Sequence, residues 1–216
     1  MSLFRKKAEP VAIIPAAEGM SVKSAIETRR STRKYLDKAV PKDLIEEVLD
    51  AGRMAPSGGN SQTTRFIVIT KRDVLEDLNK IVKDEFSKMS VKPGMYLPKV
   101  NAIMQSKAGT FRYDYHTPVL IVLANKKDYG NAMADSSCAA MNMLLRANEL
   151  NMGACWVNQL HWLTDTDQLT KYMQKLGLEE DETITASVAF GYPDTKDGLP
   201  NRIPSRRKGN PVNWVE

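Results

Sequence analysis

A chain of 216 residues, 42% apolar and 26% charged, has the size and make-up of one ordinary globular domain. No apolar run approaches the ~20 residues needed to cross a bilayer, and the basic start interrupted by Pro10 and Pro15 does not read as a signal peptide. The net charge of +5 is interleaved with acids, and its two dense clusters, residues 29–34 and 202–208, lack interleaved aromatics, which disfavours nucleic acid and favours a phosphorylated cofactor.

Residues 1–20 read as an irregular arm. Ser21 can cap a helix running to about Arg30, with Ser24-x-x-Glu27 as a second capping pair. Three arginines, Arg29, Arg30 and Arg33, therefore fall at its end and in the turn beyond. Pro41 suits the first position of a second helix, whose Leu44, Ile45, Val48, Leu49 and Gly52 recur at helical spacing. Pro56-Ser57-Gly58-Gly59-Asn60-Ser61-Gln62 is a loop. Arg65 to Thr70 reads as a strand too continuously apolar for a sheet edge, and Asp73 caps the long helix that follows. Residues 90–116 have no clean period and read as a lid-like excursion. Val119 to Ala124 is a second strand. The almost uncharged stretch from Asn131 to Leu150 is a helix buried nearly all round, in a core or a subunit interface. Its Asp135 is expected to be the buried partner of an arginine. A third strand over 154–157, a helix over 166–176 closed by Gly177 and a fourth strand over 183–190 complete the domain. Residues 194–216 contain five prolines and glycines and no core of their own, and Trp214 suggests that they lie along another surface.

The inventory of reactive side chains is thin. Cys138 and Cys155 have no C-x-x-C partner and are expected as buried thiols of a reducing cytoplasm, while His116 and His161 lack metal-ligand spacing. Rossmann, P-loop and nucleophile-elbow motifs are absent from the sequence. No side chain is assigned as an essential acid, base or nucleophile, so the chemistry is expected to come from a bound redox cofactor. Guanidinium forks match phosphate and imide oxygens, and the small residues of 56–62 let backbone approach a flat ligand. FMN suits both features.

The motifs RRSTRKY at 29–35, APSGGNSQ at 55–62, MGACWVN at 152–158 and GYP at 191–193, followed by a basic Trp-containing tail, resemble the FMN-dependent nitroreductase family over nearly the whole chain from Ser21. The resemblance implies an α+β fold: a three-layer α/β/α sandwich with a central mixed sheet flanked by helices. It also implies a homodimer with exchanged C-terminal tails and an FMN in each of two interface pockets. By resemblance, Arg29 and Ser31 contact phosphate and the flavin's polar side, and Arg33 is the cation beside N1 and the C2 oxygen. Pro56, Ser57, Gly58 and Asn60 reach FMN from the partner subunit, with Gln62 beside them. Asn158 and Gln159 sit where backbone donors face N5 and O4, and either Arg206 or Arg207 binds phosphate. Arg30 and Trp156 are counted with these cofactor contacts, with a surface charge and core packing, respectively, as their alternatives. The activity implied is ping-pong hydride transfer from NAD(P)H to a nitroaromatic, quinone or similar small acceptor. Dehalogenase-like or oxidative flavin chemistry and a non-catalytic flavin storage or sensing role are the alternatives. Two departures stand out: Gln62-Thr63-Thr64-Arg65 replaces the family's Asn-x-Gln-Pro-Trp, and Asn151-Met152-Gly153 replaces Gly-Leu-Gly.

Overall fold

The computed structural model describes residues 19–216, so the arm expected over 1–20 lies almost wholly outside the described residues. Seven α-helices and four strands follow in the order α1 (Val22–Thr28), α2 (Lys42–Arg53), β1 (Arg65–Ile69), α3 (Arg72–Ser87), α4 (Leu97–Lys107), β2 (Val119–Lys126), α5 (Ala132–Glu149), β3 (Gly153–Trp156), α6 (Gln159–Trp162), α7 (Asp167–Lys175) and β4 (Glu182–Gly191). The sheet order is β1-β2-β4-β3 and every strand pairing is antiparallel. The parallel component of the expected mixed sheet is confined to one bridge, Ser31 to Ala154, beside β3.

Alternation along β2 builds the three layers. Leu120, Val122 and Ala124 point into a core shared with α3, α4 and α7, while Val119, Ile121 and Leu123 point into a second core shared with α2 and α5. A strand with buried side chains on both faces reads as a continuous apolar run, which is why it was legible. The same argument fails for β1, which is an edge strand despite Phe66-Ile67-Val68-Ile69. Ile67 and Ile69 supply the buried face, and Val68 on the other is 38% exposed.

Other expectations shift by small amounts. Ser21 caps α1, its hydroxyl accepting from the Ser24 amide (3.2 Å), whereas Glu27 pairs with Lys23 instead of closing a second box. Pro41 is the N-cap residue of α2, one place before its expected position. Asp73 lies inside the first turn of α3, where its charge favours the helix N-terminus, and Lys71 is the cap. Gly177 follows α7 with φ +104°, a left-handed stop that a side chain disfavours.

The larger differences concern helices. The excursion over 90–116 contains α4, whose buried residues are the small Ala102 and Ser106 with Ile103, while Tyr96, Leu97 and Met104 stand exposed around it. A helix as apolar outside as inside has no legible period. In α5 the burial is one-sided: Met133 and Met141 (46%) are exposed in the single chain, and so is Cys138, contrary to its expected burial. Trp214 is 84% exposed and does not lie on its own chain. No described helix is long and apolar enough to cross a membrane.

Candidate functional site

At Arg29 the backbone leaves α1 in an extended conformation (φ −56°, ψ 128°) and runs along the open edge of β3. The Thr32 amide donates to the Ala154 carbonyl (2.9 Å), and Tyr35 bridges to Pro193 while its hydroxyl donates to the Thr32 carbonyl (2.8 Å). The approach to β3 is close: a Cβ on Gly153 would sit 2.6 Å from the Thr32 methyl carbon. Extended backbone alternates its side chains, so Arg29, Ser31 and Arg33 share a face.

That face opens on a cleft of about 500 Å³ that Arg30 and, from the tail, Asn201, Ser205 and Arg207 also line. The tail is tied there by Arg202, which donates to the Asn148 side chain (3.2 Å) and Asn151 side chain (2.7 Å), and by Arg30, whose Nε donates to the Ile203 carbonyl (2.6 Å). Arg30 thus serves the wall of the cleft as well as its charge. The two basic clusters, far apart in sequence, meet in one place. Of the two tail candidates, Arg207 lines the cleft and Arg206 does not.

Among the described residues no carboxylate lies within ion-pair distance of Arg29, Arg30, Arg33 or Arg207. Burial, followed by repulsion from Arg30 and Arg207, holds the Arg29 pKa below the ordinary guanidinium value. Burial also works against the Arg33 charge, but Cys155, Tyr115 and Tyr35 more than offset it. Beneath them the buried Cys155 thiol is pushed up by desolvation, opposed by Arg33, Ser31 and Arg29. Concentrated positive charge with no carboxylate beside it, around a polar cleft, has the chemistry to attract an anion.

The loop of residues 56–62 is built differently. Gly58–Asn60 form a 3₁₀ turn, and Gly59 (φ +57°), Asn60 (+56°) and Gln62 (+50°) are left-handed. Asp135 holds it: the Gly58 amide donates to both carboxylate oxygens (3.2 Å each), and the Tyr129 hydroxyl donates to one of them (2.9 Å). The expected arginine partner of Asp135 is therefore replaced by backbone and a phenol, because this first-turn residue of α5 backs onto the loop. Gly58 leaves room for its neighbours, since a Cβ there would meet Asn131 Nδ2 at 2.2 Å and the Tyr129 hydroxyl at 2.5 Å and force those side-chain ends to move. Pro56, Ser57 and Gln62 line a separate cavity of about 300 Å³ that shares no residue with the arginine cleft.

Beyond β3, the Trp156 indole donates to the Asn158 side chain (2.5 Å), and α6 begins at Gln159, whose Oε1 is buried with no partner among the described residues. Trp156, Asn158 and Gln159 do not line the arginine cleft. Within one chain the candidate residues therefore fall into three groups. Tyr115, Tyr129 and Arg202 support these groups and were not singled out. Arg202 alone carried a signal, as the first member of the tail cluster.

The sequence model of the nitroreductase family matches residues 26–192. The chain belongs to the nitroreductase family. A Bacteroides fragilis nitroreductase solved with bound FMN is 30% identical and aligns over 92% of this chain and all of its own, with a TM-score of 0.79. A Methanothermobacter thermautotrophicus relative, provisionally named NADH dehydrogenase/NAD(P)H nitroreductase, is 33% identical over 85% of this chain and 86% of its own length. A Desulfitobacterium hafniense nitroreductase with bound FMN, 22% identical over 91% of this chain with a TM-score of 0.72, shares the fold.

In this chain the family match ends at Tyr192. Asn201, Ser205 and Arg207, which close one side of the cleft, come from beyond it.

Proposed function

We propose that this protein is a cytoplasmic FMN-dependent oxidoreductase that carries reducing equivalents from NAD(P)H to a nitroaromatic, quinone or similar small acceptor. The observation that carries the reading is the cleft of Arg29, Arg30, Arg33 and Arg207 with no carboxylate among the described residues to neutralise it. Such a donor set fits a flavin phosphate, with Ser31 offering a hydroxyl on the same face. When bound, FMN supplies the redox chemistry in two half-reactions at one shared pocket, the donor leaving before the acceptor enters. Arg29 and Arg207 neutralise phosphate, and Arg33 supplies a fixed cation where reduction of a flavin adds negative charge. Free thiols at Cys138 and Cys155 suit a reducing compartment.

A homodimer completes the site in this reading. The loop of residues 56–62 and the arginine cleft are separate cavities in one chain, so a second copy is the economical source of the loop beside the flavin. The exposed Met133 and Met141 of α5, the bare edge of β1 and the uncovered Trp214 are surfaces that such a copy would bury. Obligate dimer interfaces bury roughly 2,000 Å² or more, and they resemble a divided core.

The experiment is a visible spectrum of purified protein, followed by FMN titration of the apoprotein and anaerobic addition of NADH or NADPH. Bound flavin that either nucleotide bleaches, and that a nitroaromatic or quinone recolours, is the expected result. Protein that takes up no FMN overturns the reading. Flavin that neither nucleotide bleaches leaves a storage or sensing protein instead.

A further inference from the structure

Tyr115 and His116 both adopt left-handed backbone, with φ +56° and +58°. At Gly94, Gly109 and Gly177 this chain meets the same need with glycine, at φ +76°, +76° and +104°. A tyrosine at such an angle is a steric outlier that only surrounding structure can hold. The surroundings are unusually complete. Asp114, fully buried, accepts from the His116 amide (3.1 Å), from Arg112 Nε (2.8 Å) and from the Asn79 side chain (2.6 Å). Arg112 reaches on to Glu76 of α3 with two bonds of 2.8 Å. On the other side the buried Thr117 hydroxyl accepts from the Phe190 amide (3.0 Å) and has the Val119 and Phe190 carbonyls (2.8 and 2.9 Å) as acceptors for its one hydrogen.

This clamp spends its rigidity on one outward result. The Tyr115 ring is set against Arg33, whose guanidinium carbon stands 5.9 Å from the ring centre. Arg33 is otherwise free of acidic partners among the described residues and sits on the cleft's exposed side.

We propose that Tyr115 is a positioning residue for the redox chemistry: the Asp114-anchored left-handed turn presents its ring to Arg33 and fixes that cation where a reduced flavin needs it. The proposal rests on the flavin reading of Arg33 given above. A flexible arginine would interact with oxidised and reduced flavin after rearranging, whereas a fixed one is already aimed where charge appears. Tyr115 thereby favours the reduced flavin through Arg33.

The test is a double-mutant cycle read as a potential. FMN-reconstituted wild type, Tyr115→Leu, Arg33→Ala and the double variant are titrated spectroelectrochemically, and FMN affinity is measured for each. The preference for reduced over oxidised flavin should fall about two- to fivefold in Tyr115→Leu, the range for an exposed cation over an aromatic ring. At ~30 mV per tenfold for a two-electron couple, that is a midpoint about 10–20 mV lower. Arg33→Ala should lower it further, and Tyr115→Leu should add nothing in the Arg33→Ala background. Tyr115→Phe keeps the shape and turn and should shift the preference less, in the same direction, and it decides the matter should the leucine variant fold poorly. An equal shift with and without Arg33, or no shift while Arg33→Ala gives one, overturns the proposal alone. An Arg33→Ala protein with bound FMN and unchanged potential overturns the flavin reading of Arg33 and the proposal with it.

Discussion

Replacing Arg29 with alanine should move stability and ligand binding in opposite directions. In the apoprotein Arg29 is disfavoured by burial and then by Arg30 and Arg207 beside it. Removing one charge from such a cluster relieves part-exposed repulsion of about 0.2–1 kcal/mol, set against some lost packing of its stem. Urea unfolding of apo Arg29→Ala should therefore show a midpoint equal to or above that of wild type, and the difference should shrink in high salt, which screens the repulsion. Binding responds the other way. A charge-assisted hydrogen bond to phosphate is worth about 1.5–3 kcal/mol, so FMN affinity should drop roughly tenfold to 150-fold. Titrating FMN into apoprotein and following quenching of its fluorescence gives the constant directly, and excess FMN should restore activity. Apoprotein destabilised by more than ~1 kcal/mol, together with an FMN constant within twofold of wild type, would refute the reasoning, because Arg29 would then be a structural residue.

Gly58→Ala should destabilise the protein by about 1–3 kcal/mol in urea unfolding, since the new methyl displaces Tyr129 and Asn131 and loosens the Asp135 brace; a change under 0.5 kcal/mol would show that those side chains swing aside freely. Deleting residues 198–216 removes Arg202, the tether on Asn148, along with Arg207, and should release FMN and weaken the proposed dimer together; gel filtration and absorbance of the truncated protein check both, and a full dimer with normal flavin contradicts the arrangement. Burial raises the Cys155 pKa, so its reactive thiolate is scarcer than in a free cysteine at every pH below that raised value. Alkylation near pH 8 should accordingly spare Cys155 until the protein unfolds, as mass spectrometry of peptides would show. Conservative replacement of His116 or His161 should cost less than about tenfold in turnover with FMN bound, against the ~10²–10⁴-fold of a general acid or base.

What the sequence discloses depends on how far apart the interacting residues lie. β2 is a continuous apolar run because both its faces are buried, β4 is equally buried although Thr183, Thr185 and Ser187 interrupt its apolar residues, and α2 shows its period because only one face is. The arginine cleft was foreshadowed by two basic clusters, though not that Arg207 rather than Arg206 would face it. α4 escaped because its outward Met104 and Leu97 are as apolar as the Ile103 it buries. The edge position of β1 escaped because strand order is fixed by pairing, not by composition. Asp135 was recognised as a buried acid needing a partner, but its partners, Gly58 and Tyr129, are chosen by a loop fold that no local pattern encodes. The Tyr115 turn gave no warning at all, since neither tyrosine nor histidine advertises left-handed backbone.

The close contact between Thr32 and Gly153 has a consequence for how this family member can be altered. Along residues 29–34 the odd positions read Arg, Ser, Arg and the even ones Arg, Thr, Lys. Slipping the segment by one place against β3 would therefore present a nearly equivalent set of charges and a hydroxyl to the cleft, and chemistry there would hardly object. What tells the two alignments apart is a notch: the missing side chain at Gly153 accepts the Thr32 methyl, and the Tyr35 hydroxyl closes back on Thr32. The identity of the cleft-facing residues is thus written in a steric keyway outside the cleft. Engineering that widens or fills this keyway will change which residues face the cleft before it changes any of the residues themselves.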